Sequence, residues 1–141
     1  MNAIQLLIAP IFIHLALVAF VGISSIRSRI AAVMSGQTKL SDIALDSSKW
    51  PPHVRKLGNN FDNQFDVPTT WYALCGLIVA TGKADMFLAV LSCLFVVTRL
   101  IHTYIHTGKN NVQFRMYAFL SGFATLAVMW AWFGIRLLLI G

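Results

Sequence analysis

Arg55, Asn59, Asp62 and Asp66 follow one another at intervals of four, three and four, so on an α-helix they form one polar stripe with Asn63 beside it. Arg99, His102 and His106 repeat the pattern at intervals of three and four, and Arg115 follows. Guanidinium groups hold carboxylates through paired N–H donors, while aspartate and asparagine oxygens receive an amine. Nine such groups exceed what helix packing requires, so the set points to a small ligand with several charges, arriving from the aqueous side.

These residues sit in an unusual setting. Of the 141 residues, 57% are hydrophobic and only 11% charged, against roughly 25% for an ordinary soluble domain. Four apolar segments, at about 3–26, 59–81, 84–106 and 114–140, each reach the ~20 residues a spanning helix needs. The expected fold is therefore all-α, an integral membrane four-helix bundle forming a single domain over residues 1–141. The first segment lacks a preceding basic residue and outruns a signal-peptide core, so it is expected to stay as helix one. Residues 25–34 mix Arg27 and Arg29 with Ile26, Ile30 and Val33, which suits either a helical extension or anchoring at lipid headgroups. Pro10 and Pro68 each fall inside a span and remove a backbone hydrogen bond, with Thr69 and Thr70 placed to re-satisfy the groups freed near Pro68.

Residues 81–85 leave room only for a tight hairpin, which makes the second and third segments antiparallel neighbours. Asp66 then lies level with Arg99, and Asp62 with His102, with the first pair roughly 10 Å below the surface by the helical rise. Asp66 and Arg99 either pair, as a structural ion pair fixing helix packing, or line a wet cavity. Which of Asp62 and Asp66 meets a ligand is open at this stage.

Basic residues gather around the first and third loops, with Lys83 alone in the second. The positive-inside rule places loops 1 and 3 in the cytoplasm and both termini opposite. The net charge of +6 thus reports topology, and no aromatic and basic alternation suggests nucleic-acid binding. The one long connection, residues 35–54, is rich in Ser, Asp and Lys and contains the Trp50-Pro51-Pro52 stop, with Trp50 as an interfacial tryptophan. Cys75 and Cys93 read as buried thiols, without metal-ligand spacing. No serine or cysteine has a base partner, so hydrolase chemistry is disfavoured. His14 lies in mid-span, away from the depth of His102 and His106, which argues against paired haem ligands and for a helix-linking role.

Arg99-Leu-Ile-His102-Thr103, then Thr107-Gly108-Lys109, then Arg115 sixteen residues after Arg99, resemble the MAPEG family, the membrane-associated proteins of eicosanoid and glutathione metabolism. The resemblance runs over all four segments and is that of a bacterial-type member, which implies the bacterial inner membrane. Members close to prostaglandin E synthase and microsomal glutathione transferase carry Arg-x-x-x-Asn-x-x-Glu on helix two. This chain matches it as Arg55, Asn59 and Asp62, or partly as Asn63 and Asp66 one turn later. The resemblance implies glutathione as co-substrate, with Arg99 and His102 in its site and Arg115 stabilising the thiolate. It also implies a homotrimer with sites between subunits facing the cytosol. Three departures stand out: aspartate for glutamate, His106 where the family often has a glutathione-binding tyrosine, and Phe119 where another tyrosine can occur.

The expected activity is that of a glutathione-dependent transferase or peroxidase, with a lipophilic electrophile or lipid hydroperoxide entering from the bilayer. Arg115 is the expected catalytic residue, and Arg55, Asn59, Asp62, Asn63, Asp66, Arg99, His102 and His106 the glutathione-binding set. The competing expectation is a non-catalytic lipid- or partner-binding membrane protein of the same fold, because fold does not fix activity.

Overall fold

The computed structural model describes residues 1–140. Six α-helices follow one another: α1 (Ala3–Met34), α2 (Leu40–Ile43), α3 (Pro52–Asp62), α4 (Val67–Ala80), α5 (Met86–Thr107) and α6 (Val112–Ile135), the last continuing into a π-helical turn at Arg136–Ile140. Among the described residues there is no strand. Helices α1, α5 and α6 are long and apolar enough to cross a membrane. Phe12, Phe20, Ile23, Val90, Leu94, Ile101 and Phe123 stand exposed on them, a surface that suits lipid and not water.

The 32 residues of α1 outlast the hydrocarbon, since helical rise makes the helix about 48 Å long against a core of about 30 Å. The helix therefore does continue through residues 25–34, ending where Gly36 turns the chain at a φ of +72°. Pro10 lies inside α1 without ending it. Its ring disturbs the carbonyls one turn earlier, and α5 supplies the replacements: Ser92 Oγ donates to Leu7 O at 2.8 Å and Cys93 Sγ approaches Leu6 O at 3.7 Å.

The second apolar segment departs from the single helix expected over 59–81. It is two helices, α3 and α4, separated by residues 63–66. Pro68 explains the break, because in a continuous helix its ring would collide with the carbonyl of Gln64, whereas in the first turn of α4 its missing N–H costs nothing. Gln64 and Phe65 close tight turns onto Phe61 O and Asp62 O, at 3.0 and 2.9 Å. Thr69 Oγ1 donates to Phe65 O, and Thr70 Oγ1 to Val67 O, so both threonines satisfy carbonyls beside the proline.

Helix α5 is central and packs against α1, α3 and α6. The molecule is divided along its depth. Toward the α4–α5 turn the core is apolar, with Leu7, Trp71, Leu74, Ile78, Leu88, Phe95 and Met129 fully buried. Toward the other end polar residues join the buried set, among them Asn60, Gln64, Arg99, His102, Thr103 and His106. A hydrogen-bond chain joins the two zones. His14 Nδ1 meets Tyr72 Oη at 2.6 Å, His14 Nε2 meets Gln64 Oε1 at 3.2 Å, and Gln64 Nε2 donates to Asn60 O and Thr103 Oγ1 at 3.0 and 3.1 Å. The amide oxygen can only accept, so Nε2 of His14 carries the proton and Nδ1 accepts from the tyrosine. His14 thus links α1 to α4 and to the break, as a helix-linking histidine would.

Asp85 fastens the opposite end. It caps α5 by accepting from Leu88 N at 2.7 Å, and its other oxygen accepts from Trp132 Nε1 at 2.8 Å and Arg136 Nη1 at 2.5 Å. Partial burial opposes ionisation, but these donors and the guanidinium charge together hold its carboxyl below the usual range.

Candidate functional site

The polar stripe of α3 faces the last two turns of α5 and the first turns of α6. Their side chains enclose a cavity of about 540 Å3 lined by Asn59, Asp62, Asn63, His102, His106 and Arg115, with Val112, Met116 and Phe119 as its apolar wall. An outer cavity of about 460 Å3 shares Asn59, His106 and Arg115 and adds Arg55, Lys56 and His53. Six of the nine residues singled out from spacing therefore meet in one cavity, and Arg55 stands at its mouth.

Asp62 and His102 line the same cavity, as their matched depth predicts. Asp66 and Arg99 do not pair. The break after α3 removes Asp66 from the helical stripe and leaves it exposed at the start of α4, outside the two cavities. Asp62, still within α3, is the carboxylate that the cavity holds.

Arg99 lies directly behind the cavity wall and is 1% exposed. Its guanidinium sits 5.5 Å from the ring centres of both Phe95 and Phe119, and Nη2 reaches Ala118 O at 3.5 Å. Nε and Nη1 have no partner, and among the described residues the one ion pair is that of Arg136 with Asp85. Cation–π contacts contribute about 0.5–2 kcal/mol each, whereas burying an ion costs several kcal/mol. The difference leaves Arg99 a strong attractor for an anion. Gly122 on α6 makes its position possible: a Cβ there would lie 2.6 Å from Thr98 Oγ1 and 2.7 Å from Arg99 Nη2. Spacing alone did not reveal that role, since a glycine in an apolar helix carries no chemical signal.

The loop between α5 and α6 sets Arg115. Asn110 adopts a φ of +51°, a conformation asparagine tolerates better than most residues, and accepts from Arg115 Nη1 at 2.8 Å. Lys56 Nζ donates to Thr107 O and Gly108 O at 2.8 and 3.0 Å, tying α3 to the C-terminal end of α5. Sequence spacing passed over Lys56 because position 56 falls outside the intervals of four, three and four that join Arg55, Asn59, Asp62 and Asp66. Asn63 Nδ2 donates to Asn59 O at 2.9 Å and steadies the end of α3. At the mouth, Arg55 Nη1 donates to Ser48 O at 3.2 Å, and Arg29 of α1 lies 5.7 Å from the ring centre of Trp50. The ring that the sequence placed at the interface thus packs on an arginine.

The cavity therefore offers cations at three levels, Arg55 at the mouth, Arg115 at the wall and Arg99 behind it, with one carboxylate and two asparagines opposite. The sequence profile of the MAPEG family matches residues 6–135. The chain belongs to the MAPEG family. Together with three helices able to cross a bilayer, that membership makes it an integral membrane protein. Neither a curated protein nor a solved structure matches the chain. The matched range of this MAPEG protein contains every residue of both cavities.

Proposed function

We propose that this MAPEG protein is a glutathione-dependent transferase or peroxidase acting on lipophilic electrophiles or lipid hydroperoxides. The observation that carries the reading is Arg99, buried without a counter-charge behind a cavity that also holds Arg115 and Asp62. Glutathione has the complementary groups: two carboxylates for Arg99 and Arg55, an ammonium for Asp62 with Asn59 and Asn63, and a thiol for Arg115. His102 and His106 complete the walls. A free thiol has a pKa near 8.5, so a neighbouring cation favours its thiolate at neutral pH. Arg115 is the arginine that lines this cavity.

Val112, Met116 and Phe119 give the second reactant an apolar wall continuous with the lipid-facing surface of α6. Catalysis then consists of proximity and charge stabilisation, with no covalent enzyme intermediate. In this reading the protein is a homotrimer in the bacterial inner membrane, with loops 1 and 3 cytoplasmic and both termini non-cytoplasmic. Phe119 at the wall, with no hydroxyl to offer a ligand, favours the second reading, a binding protein of the same fold without turnover.

Calorimetry with glutathione tests the first reading, with an expected affinity between micromolar and millimolar. Ultraviolet difference absorbance should show a thiolate on binding, and Arg115→Ala should abolish that signal. Wild-type protein without measurable glutathione binding would sink the enzyme reading, whereas binding without thiolate or turnover would favour the second.

A further inference from the structure

Carboxylate binding by Arg99 and thiolate stabilisation by Arg115 leave His106 with no part in the chemistry. Its ring is 2% exposed, yet Nδ1 has no hydrogen-bond partner among the described residues. Leaving a buried polar nitrogen unsatisfied costs about 1–3 kcal/mol, a cost that a ligand donor at that position removes. His106 also stands where the two cavities join, lining both beside Arg115. Imidazole is the side chain best suited to accept and return a proton near neutral pH.

We propose that His106 is a catalytic residue that accepts the thiol proton of bound glutathione and returns it to the departing atom of the electrophile. The inference rests on the glutathione reading above. In the first step the S–H bond breaks, an N–H bond forms on the imidazole, and the electron pair stays on sulfur beside Arg115. With a lipid hydroperoxide, the sulfur attacks the terminal oxygen, an S–O bond forms and the O–O bond breaks. The departing alkoxide takes the proton from the imidazolium and leaves as an alcohol. A second glutathione thiol then reduces the sulfenic acid, giving the disulfide and water.

The groups facing His106 fit such a transfer. They are His102 on the same helix, His53, Arg55, Lys56 and Asp62 on α3, and Arg115 on α6. Lys56 is committed to the carbonyls ending α5, and Arg115 to Asn110, so neither hydrogen-bonds the imidazole. Glutathione would bring its carboxylates into this cationic surround, which offsets the charge the ring gains with the proton.

The test uses full-length protein in detergent at neutral pH in weak buffer, titrated with glutathione while thiolate absorbance and proton release are followed together. The wild type should form thiolate while releasing well under one proton for each thiolate. His106→Tyr keeps a hydrogen-bonding group but cannot take a proton at neutral pH, and His106→Gln serves if the tyrosine variant fails to fold. Either should release a full proton for each thiolate it still forms and lose about 100-fold or more in turnover with a hydroperoxide. Wild-type protein that releases one proton per thiolate, or that binds glutathione as the thiol, overturns the role of His106 and leaves glutathione binding standing. Wild-type protein that binds no glutathione overturns both.

Discussion

Arg99 is held where a packing residue would not need to be. Its guanidinium lies 5.5 Å from the ring centres of both Phe95 and Phe119, and two of its nitrogens find no acceptor. Replacing a buried charge by an apolar side chain of similar length is often neutral or stabilising, because the desolvation cost disappears. Arg99→Met is therefore expected to hold or raise the thermal midpoint in detergent while weakening glutathione binding at least tenfold, read by calorimetry on the same preparation. A midpoint several degrees lower, with binding retained, would make Arg99 a packing residue and leave the anion site without its anchor. Residue types and intervals disclosed this site well where a helix stayed regular: Arg55, Asn59 and Asp62 lie along α3, and His102 and His106 along α5. They disclosed nothing of Gly122, whose contribution is the side chain it lacks.

The broken second segment shows where element-level reading stops. Apolar content alone runs one helix through residues 59–81, but Pro68 needs a helix start beside it and the chain opens at residues 63–66. The break decides between the two aspartates, keeping Asp62 in the cavity and moving Asp66 out of it. It also exposes backbone and amide groups within a membrane protein, where each unsatisfied group costs several kcal/mol. Gln64 answers that need by bonding His14, Asn60 and Thr103 together from a 1% exposed position. Gln64→Leu should leave Nε2 of His14 and the carbonyl oxygen of Asn60 without these partners and cost about 2–4 kcal/mol. Gln64→Glu, which keeps one acceptor for His14, should recover part of it. The measure is the detergent unfolding midpoint, with His14→Phe expected to add little to Gln64→Leu because the two act through one chain of bonds. Additive losses would show that the break is held by packing instead. The sequence contains both residues of this link, but pairing His14 with Gln64 requires knowing how α1 crosses the break.

At the scale of the whole molecule, the division between an apolar end and a polar end sets which aqueous phase can deliver a charged ligand. Both cavities are built from α3, the last turns of α5 and the first turns of α6, so they open on the side of loops 1 and 3. Charge alone predicts that this side is the cytoplasmic one, since Arg27, Arg29, Lys39, Lys49 and Lys109 gather there while Lys83 stands alone in the α4–α5 turn. How many copies assemble was not legible, because lipid-facing and partner-facing surfaces are both made of Leu, Ile, Val and Phe. A cytoplasmic site requires that cysteines introduced as Ser41→Cys and Lys109→Cys react with a membrane-impermeant maleimide only in inside-out vesicles, and Lys83→Cys only in right-side-out ones. The natural Cys75 is buried and Cys93 half-buried, so their background labelling should be low, and Cys93→Ser removes the more accessible of them. Labelling of position 109 in right-side-out vesicles would invert the proposed orientation. In the proposed bacterial inner membrane the cavity would then face an oxidising compartment, where conditions oppose a free thiol, and the proposed reaction would lose its substrate before any active-site residue was questioned.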